Sequence, residues 1–284
     1  NGEAEKCAAA RQIVAHIDWK CEVHRNYSDI NVGCRANVVG GLNWFFEHVD
    51  AGIVLEDDCL ADPTFFSFAG TMLERYRDDS RIMHISGNNY LFGRRKIEES
   101  YYFSRLADIS GWATWRRAWA LFRDDMPGFV QFDKENRIRE YYHDPRVCRW
   151  LISYMREAYE RKGKGIWSPA WMYAIITHGG LSISPARNLV FHMGYGQSDS
   201  SSSSGSTWDI YNRVQLESMP SIDYPKQVIP DEDADAIRFD VIRKVDPRLI
   251  PSQRIKRWWR RKVIDPVLRL AGRLDYIHRK LFQL

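Results

Sequence analysis

Short apolar runs alternating with amphipathic helices constrain this chain most. "GIVLE" (52–56) and "RIMHISG" (81–87) have the character of buried strands. Between them, "DPTFFSFAGTMLERYRDD" (62–79) reads as a helix with Asp62 as N-cap and Pro63 at its first position. Residues 28–49 read as a turn from Ser28 or Asp29 into a helix whose apolar face is Ala36, Val39, Leu42, Phe45 and Phe46. Residues 3–17 read as another helix and 21–27 as a short strand. This βαβαβ rhythm predicts an α/β fold with a mostly parallel sheet covered by helices. Ligands of such sheets sit at the carboxyl ends of strands.

Beyond residue 90 the pattern loosens. Residues 109–122 look like a Trp-rich loop entering a helix, 145–163 and 167–180 like helices, and 181–185 like a short strand. The stretch "GYGQSDSSSSSGSTW" (194–208) has the composition of a mobile loop; its Ser-rich part, 197–206, is expected to order over a bound ligand or to serve as a plain linker.

The chain has 284 residues, 44% of them hydrophobic, enough for one sizeable core with an appendage. No apolar run approaches the roughly 20 residues of a membrane span. The five cysteines are odd in number and lack a CxxC pair. That argues against a disulfide framework or zinc site, and for buried thiols in a reducing, cytoplasmic compartment. No GxxxxGK[ST], HExxH or GxSxG stretch occurs, which removes P-loop enzymes and the commonest hydrolases.

Charge divides unevenly. From Arg248 onward there are eleven Lys/Arg against two Asp, while the remainder is mildly acidic. In 252–284, Ile255, Trp259, Val263, Val267, Leu270, Leu274, Ile277 and Leu281 form a helical stripe opposite Arg and Lys. Residues 236–284 therefore read as a basic amphipathic extension of a body spanning 1–235. It suits an anionic membrane surface, making the protein peripheral at an inner membrane, or docking on this body or a second copy. No recognised motif supports nucleic-acid binding.

Glu56, Asp57 and Asp58 close the first strand. If the chain stays extended, Glu56 and Asp58 share one side. Carboxylates at a strand end suit Mn²⁺ or Mg²⁺ together with substrate phosphates, or form a solvated acidic turn.

"LEDDCLADPTFFSF", "RIMHISGNNY", "SRLADISGWATWRRAW" and "LSISPARNLVFHMGYG" together resemble bacterial nucleotide-sugar-dependent glycosyltransferases of the GT-A fold, distantly similar to N-acetylglucosaminyltransferase I. The likeness covers roughly residues 1–235. It implies a Rossmann-like α/β/α sandwich and a metal-dependent transferase moving a sugar from a nucleotide donor, UDP-linked by expectation, to a glycan or lipid-linked acceptor. In the family's acidic motif, here EDD, the last acid holds the metal, so Asp58 is the implied ligand. Glu56 and Asp57 would contact ribose or sugar. "NVGC" with Arg35 falls where such enzymes meet the nucleotide, which brings in Asn31 and Gly33, or it is an ordinary helix entry.

Two departures matter. The family opens with an extra strand that this chain lacks, so it reads as N-terminally truncated. Ser168 stands in "WSPAW" (167–171), where relatives carry an Asp that serves as general base. Asp108 and Asp125 are candidate substitutes, with Asp124 and Asp199 beside them. Trp112 is a candidate sugar-stacking ring, whereas Trp115 and Trp119, spaced i, i+4, read as core. His192 is a candidate diphosphate or metal contact, or a core histidine. The alternatives are a degenerate binding scaffold that has lost turnover, and a nucleotidyltransferase, whose usual Gly-rich basic loop is not seen.

Overall fold

The computed structural model describes residues 2–162, 165–194, 211 and 213–245, with side chains over 4–162, 165–194, 211 and 213–241. The Ser-rich stretch, Asp199 and the basic stripe beyond 245 lie outside these residues. The chain divides into two compact units, 1–33 and a second beginning at Cys34. The first holds helix α1 (Gly2–Ile13) and an irregular segment. Arg11 ties them together, donating to Ser28 O at 3.0 Å and lying 4.8 Å from the Tyr27 ring centroid. Residues 21–27 form no strand: without a partner edge in this unit, no backbone ladder closes.

The second unit is mixed α/β. Its five-stranded sheet has the order β1-β5-β3-β6-β4, from β1 (Ala51–Val54), β3 (Ile82–Ser86), β4 (Tyr101–Ser104), β5 (Trp112–Trp115) and β6 (Leu181–Pro185). Only β3 and β6 pair in parallel; β1–β5, β3–β5 and β4–β6 are antiparallel. The expected mostly parallel sheet is therefore corrected. β1, β3 and β6 do run the same way, but β5, from the stretch read as a loop, inserts between β1 and β3. "WATW" gives no alternation because both faces of β5 are buried.

Helices cover both faces. On one lies α3 (Pro63–Arg75), whose Phe65, Phe68 and Met72 pack with Ile85, Ala113 and Trp115. Asp62 caps it as the sequence predicts, Oδ1 accepting from Thr64 N at 2.9 Å. On the other lie α2 (Cys34–His48), α4 (Arg116–Trp119), α5 (Phe129–Lys134), α6 (Pro145–Glu160) and α7 (Ser168–Thr177). They enclose Trp112, Trp119, Trp167 and Trp171. A second antiparallel pair joins β2 (Cys59–Ala61) to β7 (Val190–His192), with Cys59 opposite His192.

Helix α8 (Glu232–Val245) crosses the expected boundary at 235/236 and buries Ala234, Phe239 and Val241. Its approach covers the β4 edge, where Asp231 N donates to Phe103 O at 2.8 Å. Among the described residues no helix is long and apolar enough to cross a membrane. The expected burial of the thiols is also corrected. Cys148 is buried and Cys59 half-buried, but Cys7, Cys21 and Cys34 are exposed, and all five are free.

Candidate functional site

The strand β1 ends at Val54, so the alternation expected across 56–58 does not apply. Cys59 N donates to Glu56 O at 3.1 Å, closing a tight turn with Asp57 and Asp58 at its centre. The turn links β1 to β2, at the carboxyl end of a strand running with β3 and β6. β7 holds it from the other side. Met193 N donates to Asp58 O at 2.7 Å, and His192 Nε2 lies 3.4 Å from Asp58 Oδ2. Gly194 N donates to His192 Nδ1 at 3.1 Å, so Nδ1 is the acceptor and Nε2 carries the proton toward Asp58. Gly194 has a steric reason: a Cβ there would collide with Asp58 Oδ2 and His192.

Three like charges this close are costly. The Glu56 carboxyl is pushed up to about 7, first by burial, then by Asp58 and Asp57. Burial also raises the Cys59 thiol to about 12. It raises the Cys34 thiol too, with the three acids adding to that. Cys34 opens α2, so this field places the start of that helix near the turn. Burial lowers the His192 pKa against the pull of Asp58.

The remaining expected residues are placed as follows. Arg35 is buried and committed: Nε donates to Asp124 Oδ1 at 2.8 Å, Nη2 to Asp124 O at 2.7 Å, and Nη1 to Ile166 O at 3.2 Å. It is a brace between α2 and the 124 and 166 segments, which corrects its assignment as a nucleotide contact. Asn31 Oδ1 accepts from Gly33 N at 2.9 Å, a local turn in the first unit.

Trp112 is fully buried in β5, stacked on His84 at 5.0 Å and on Trp167 at 5.6 Å. Its faces are used inside the core, so the stacking role is corrected. Trp115 and Trp119 are buried as expected. Ser168 is buried at the start of α7, its Oγ 2.8 Å from Tyr154 Oη.

Asp108 is clasped by Arg238 of α8, with Nη2 donating to Oδ1 and Nε to Oδ2 at 3.3 Å. Both side chains are largely buried, so Asp108 is half of a buried ion pair and not an available base. Asp125 is exposed.

Beneath the sheet end, His84 accepts from Trp171 Nε1 at 3.2 Å and donates from Nε2 to Asp108 O at 2.9 Å. Burial holds its pKa down at about 4, so it is neutral.

Cys59 and Gly194 beside the turn, and Arg238 on Asp108, are the neighbours that the residue-by-residue reading missed. Cys59 follows the triplet directly, but nothing local marks Gly194 or Arg238.

Among the described residues no three His, Cys, Asp or Glu side chains gather so as to hold a metal ion. Cavities of about 380 and 230 Å³ open elsewhere, the first beside α5 and α7 and the second beyond β4; the triplet lines neither. Compared with protein-family models and with curated proteins, the sequence matches none.

Proposed function

We propose that the chain is a metal-dependent glycosyltransferase, transferring a sugar from a nucleotide-diphosphate donor to a hydroxyl of a glycan or lipid-linked acceptor. The observation that carries the reading is the acid-only turn at the carboxyl end of β1. Among the described residues no Lys or Arg pairs with Glu56, Asp57 or Asp58, and one histidine approaches Asp58. Four stretches that resemble GT-A transferases add support, and the GT-A fold is the finer reading of a sheet covered by helices.

The donor set fits a hard divalent ion poorly as a closed cage and well as an open one. Such an ion takes one or two protein carboxylates and fills its shell with water and phosphate oxygens. Asp58 would hold it, and when bound it neutralises charge developing on the departing diphosphate. His192 Nε2–H orients the Asp58 carboxylate. Glu56, near half-protonated at neutral pH, keeps the turn from carrying its full charge before a ligand arrives.

Of the two candidate bases, Asp125 is the one without a guanidinium on its carboxylate. It adjoins Asp124, which grips Arg35 in the first turn of α2, the helix whose first residue feels the triplet's charge.

A degenerate scaffold is the second reading, favoured by buried Ser168 and by the capture of Asp108 by Arg238. Calorimetric titration with UDP, with and without Mn²⁺, tests the first. Mn²⁺-dependent binding that Asp58→Ala abolishes supports it, and binding without donor hydrolysis supports the scaffold. Binding indifferent to both Mn²⁺ and Asp58 removes the assignment of the turn.

A further inference from the structure

The cavity beside α5 and α7 is built differently from the acidic turn. Its volume is about 380 Å³, at the low end of the roughly 300–1,000 Å³ typical of ligand pockets. Phe132, Tyr173 and Ala174 give it an aromatic and apolar floor, and Phe132 and Tyr173 meet edge to face at 5.4 Å. Arg123, Arg137 and His178 complete the lining, and no Asp or Glu among the described residues lines it.

Each cation has its own local contacts. Arg123 Nη1 donates to Ala120 O at 3.0 Å and to Phe122 O at 2.9 Å, which fixes the guanidinium. Its Nε and Nη2 make no hydrogen bond among the described residues. Arg137 lies 5.8 Å from the Phe132 ring centroid and has only a 3.5 Å contact with exposed Glu140. His178 Nδ1 is 2.8 Å from Ala174 O, so Nδ1 donates and Nε2 is left as the second polar atom.

The carboxyl end of α7 brings about half a negative charge, which two full guanidinium charges outweigh. The wall that carries Arg123 is also strained. Buried Met126 holds φ +47, a left-handed conformation costing on the order of 1–3 kcal/mol, and such strain clusters at ligand sites.

We propose that this cavity is a second ligand site, for a small molecule with a planar apolar body and one carboxylate or phosphate. The ring would pack against the edge-to-face pair of Phe132 and Tyr173 while the anion meets Arg123 and Arg137, contacts each suited to its part. The proposal is independent of the reading of the acidic turn, since no residue of 56–58 lines the cavity. His178 stands three residues before β6 begins, whereas the turn follows the carboxyl end of a strand running the same way.

The test titrates the full chain with phenyl phosphate, benzoate, inorganic phosphate and benzyl alcohol, read by calorimetry and by the Ala174 methyl resonance. Expected is saturable binding of phenyl phosphate or benzoate, at least about tenfold tighter than either inorganic phosphate or benzyl alcohol. Which of the two anionic probes binds more tightly distinguishes phosphate from carboxylate ligands.

Arg123→Gln and Arg137→Gln are each expected to weaken binding about tenfold while leaving Mn²⁺-dependent UDP binding unchanged. Both arginines are exposed, and an unchanged melting temperature confirms that each variant folds. No saturable shift at Ala174 with either anionic probe overturns the site. So does equal affinity for benzyl alcohol, or affinity that survives the double Gln variant.

Discussion

Two groups of carboxylates flank the sheet, and they are treated oppositely. Around α8 each acid has partners. Asp108 holds Arg238, and Asp231 lies 2.8 Å from Arg95 Nη2. Asp235 accepts from Ser104 Oγ at 2.5 Å and from Arg105 N at 2.9 Å. In the turn at 56–58, the one ionic contact among the described residues is between His192 and Asp58. The first arrangement is architecture: it fastens a helix to β4 and to the segment after it. The second leaves three neighbouring acids with no Lys or Arg partner among the described residues, the arrangement on which the proposed cation site rests. Burial lifts both Asp235 and Glu56 to about 7, so burial alone does not tell the two apart; the partners do.

The sharpest way to break this contrast is Arg238→Ala. It leaves Asp108 buried without its cation and is expected to cost about 3–5 kcal/mol in denaturant unfolding. Pairing Arg238→Met with Asp108→Leu should restore most of that loss. If the single change costs less than about 1 kcal/mol, the pair is no stronger than a surface bridge and the architectural reading falls.

A middle-sized effect of opposite sign belongs to the turn. Because Glu56 has a raised pKa in the folded state, folding takes up a proton between about 4.5 and 7, and stability falls as pH rises through that window. Glu56→Gln should remove this fall and stabilise the protein above pH 7. After allowance for solvent screening of a half-exposed group, the gain is on the order of 1 kcal/mol. Thermal melts at pH 5 and 8 measure it, and a variant less stable at pH 8 would show that the turn's charge is already compensated.

The smallest effect is expected from Arg95→Ala. Its pair with Asp231 is partly exposed and should contribute about 0.2–1 kcal/mol.

Where local chemistry was sufficient, the sequence was readable. Asp62-Pro63 announces α3 by cap and fixed φ, and Pro145 marks the start of α6, with Asp144 capping it at 2.7 Å from Arg146 N. The acids after "GIVL" are legible as a strand end because three charges cannot continue a buried strand. By contrast, "YYFS" of β4 and "WATW" of β5 are buried on both faces, so neither shows the period that betrays a half-exposed strand. Without β5 the direction of its neighbours could be inferred, but not the antiparallel strand between them.

The amino-acid order by itself determined where α3 and α6 begin, where the first apolar run stops and where three carboxylates gather, because caps, prolines and charge act within a few residues. The partners were decided by tertiary structure alone. Arg238 reaches Asp108 from 130 residues away, His192 meets Asp58 through the β2–β7 register, and Trp112 turns from a surface ring into core. Those outcomes depend on which strands lie side by side, and pairing between distant strands leaves no mark on the sequence around either residue.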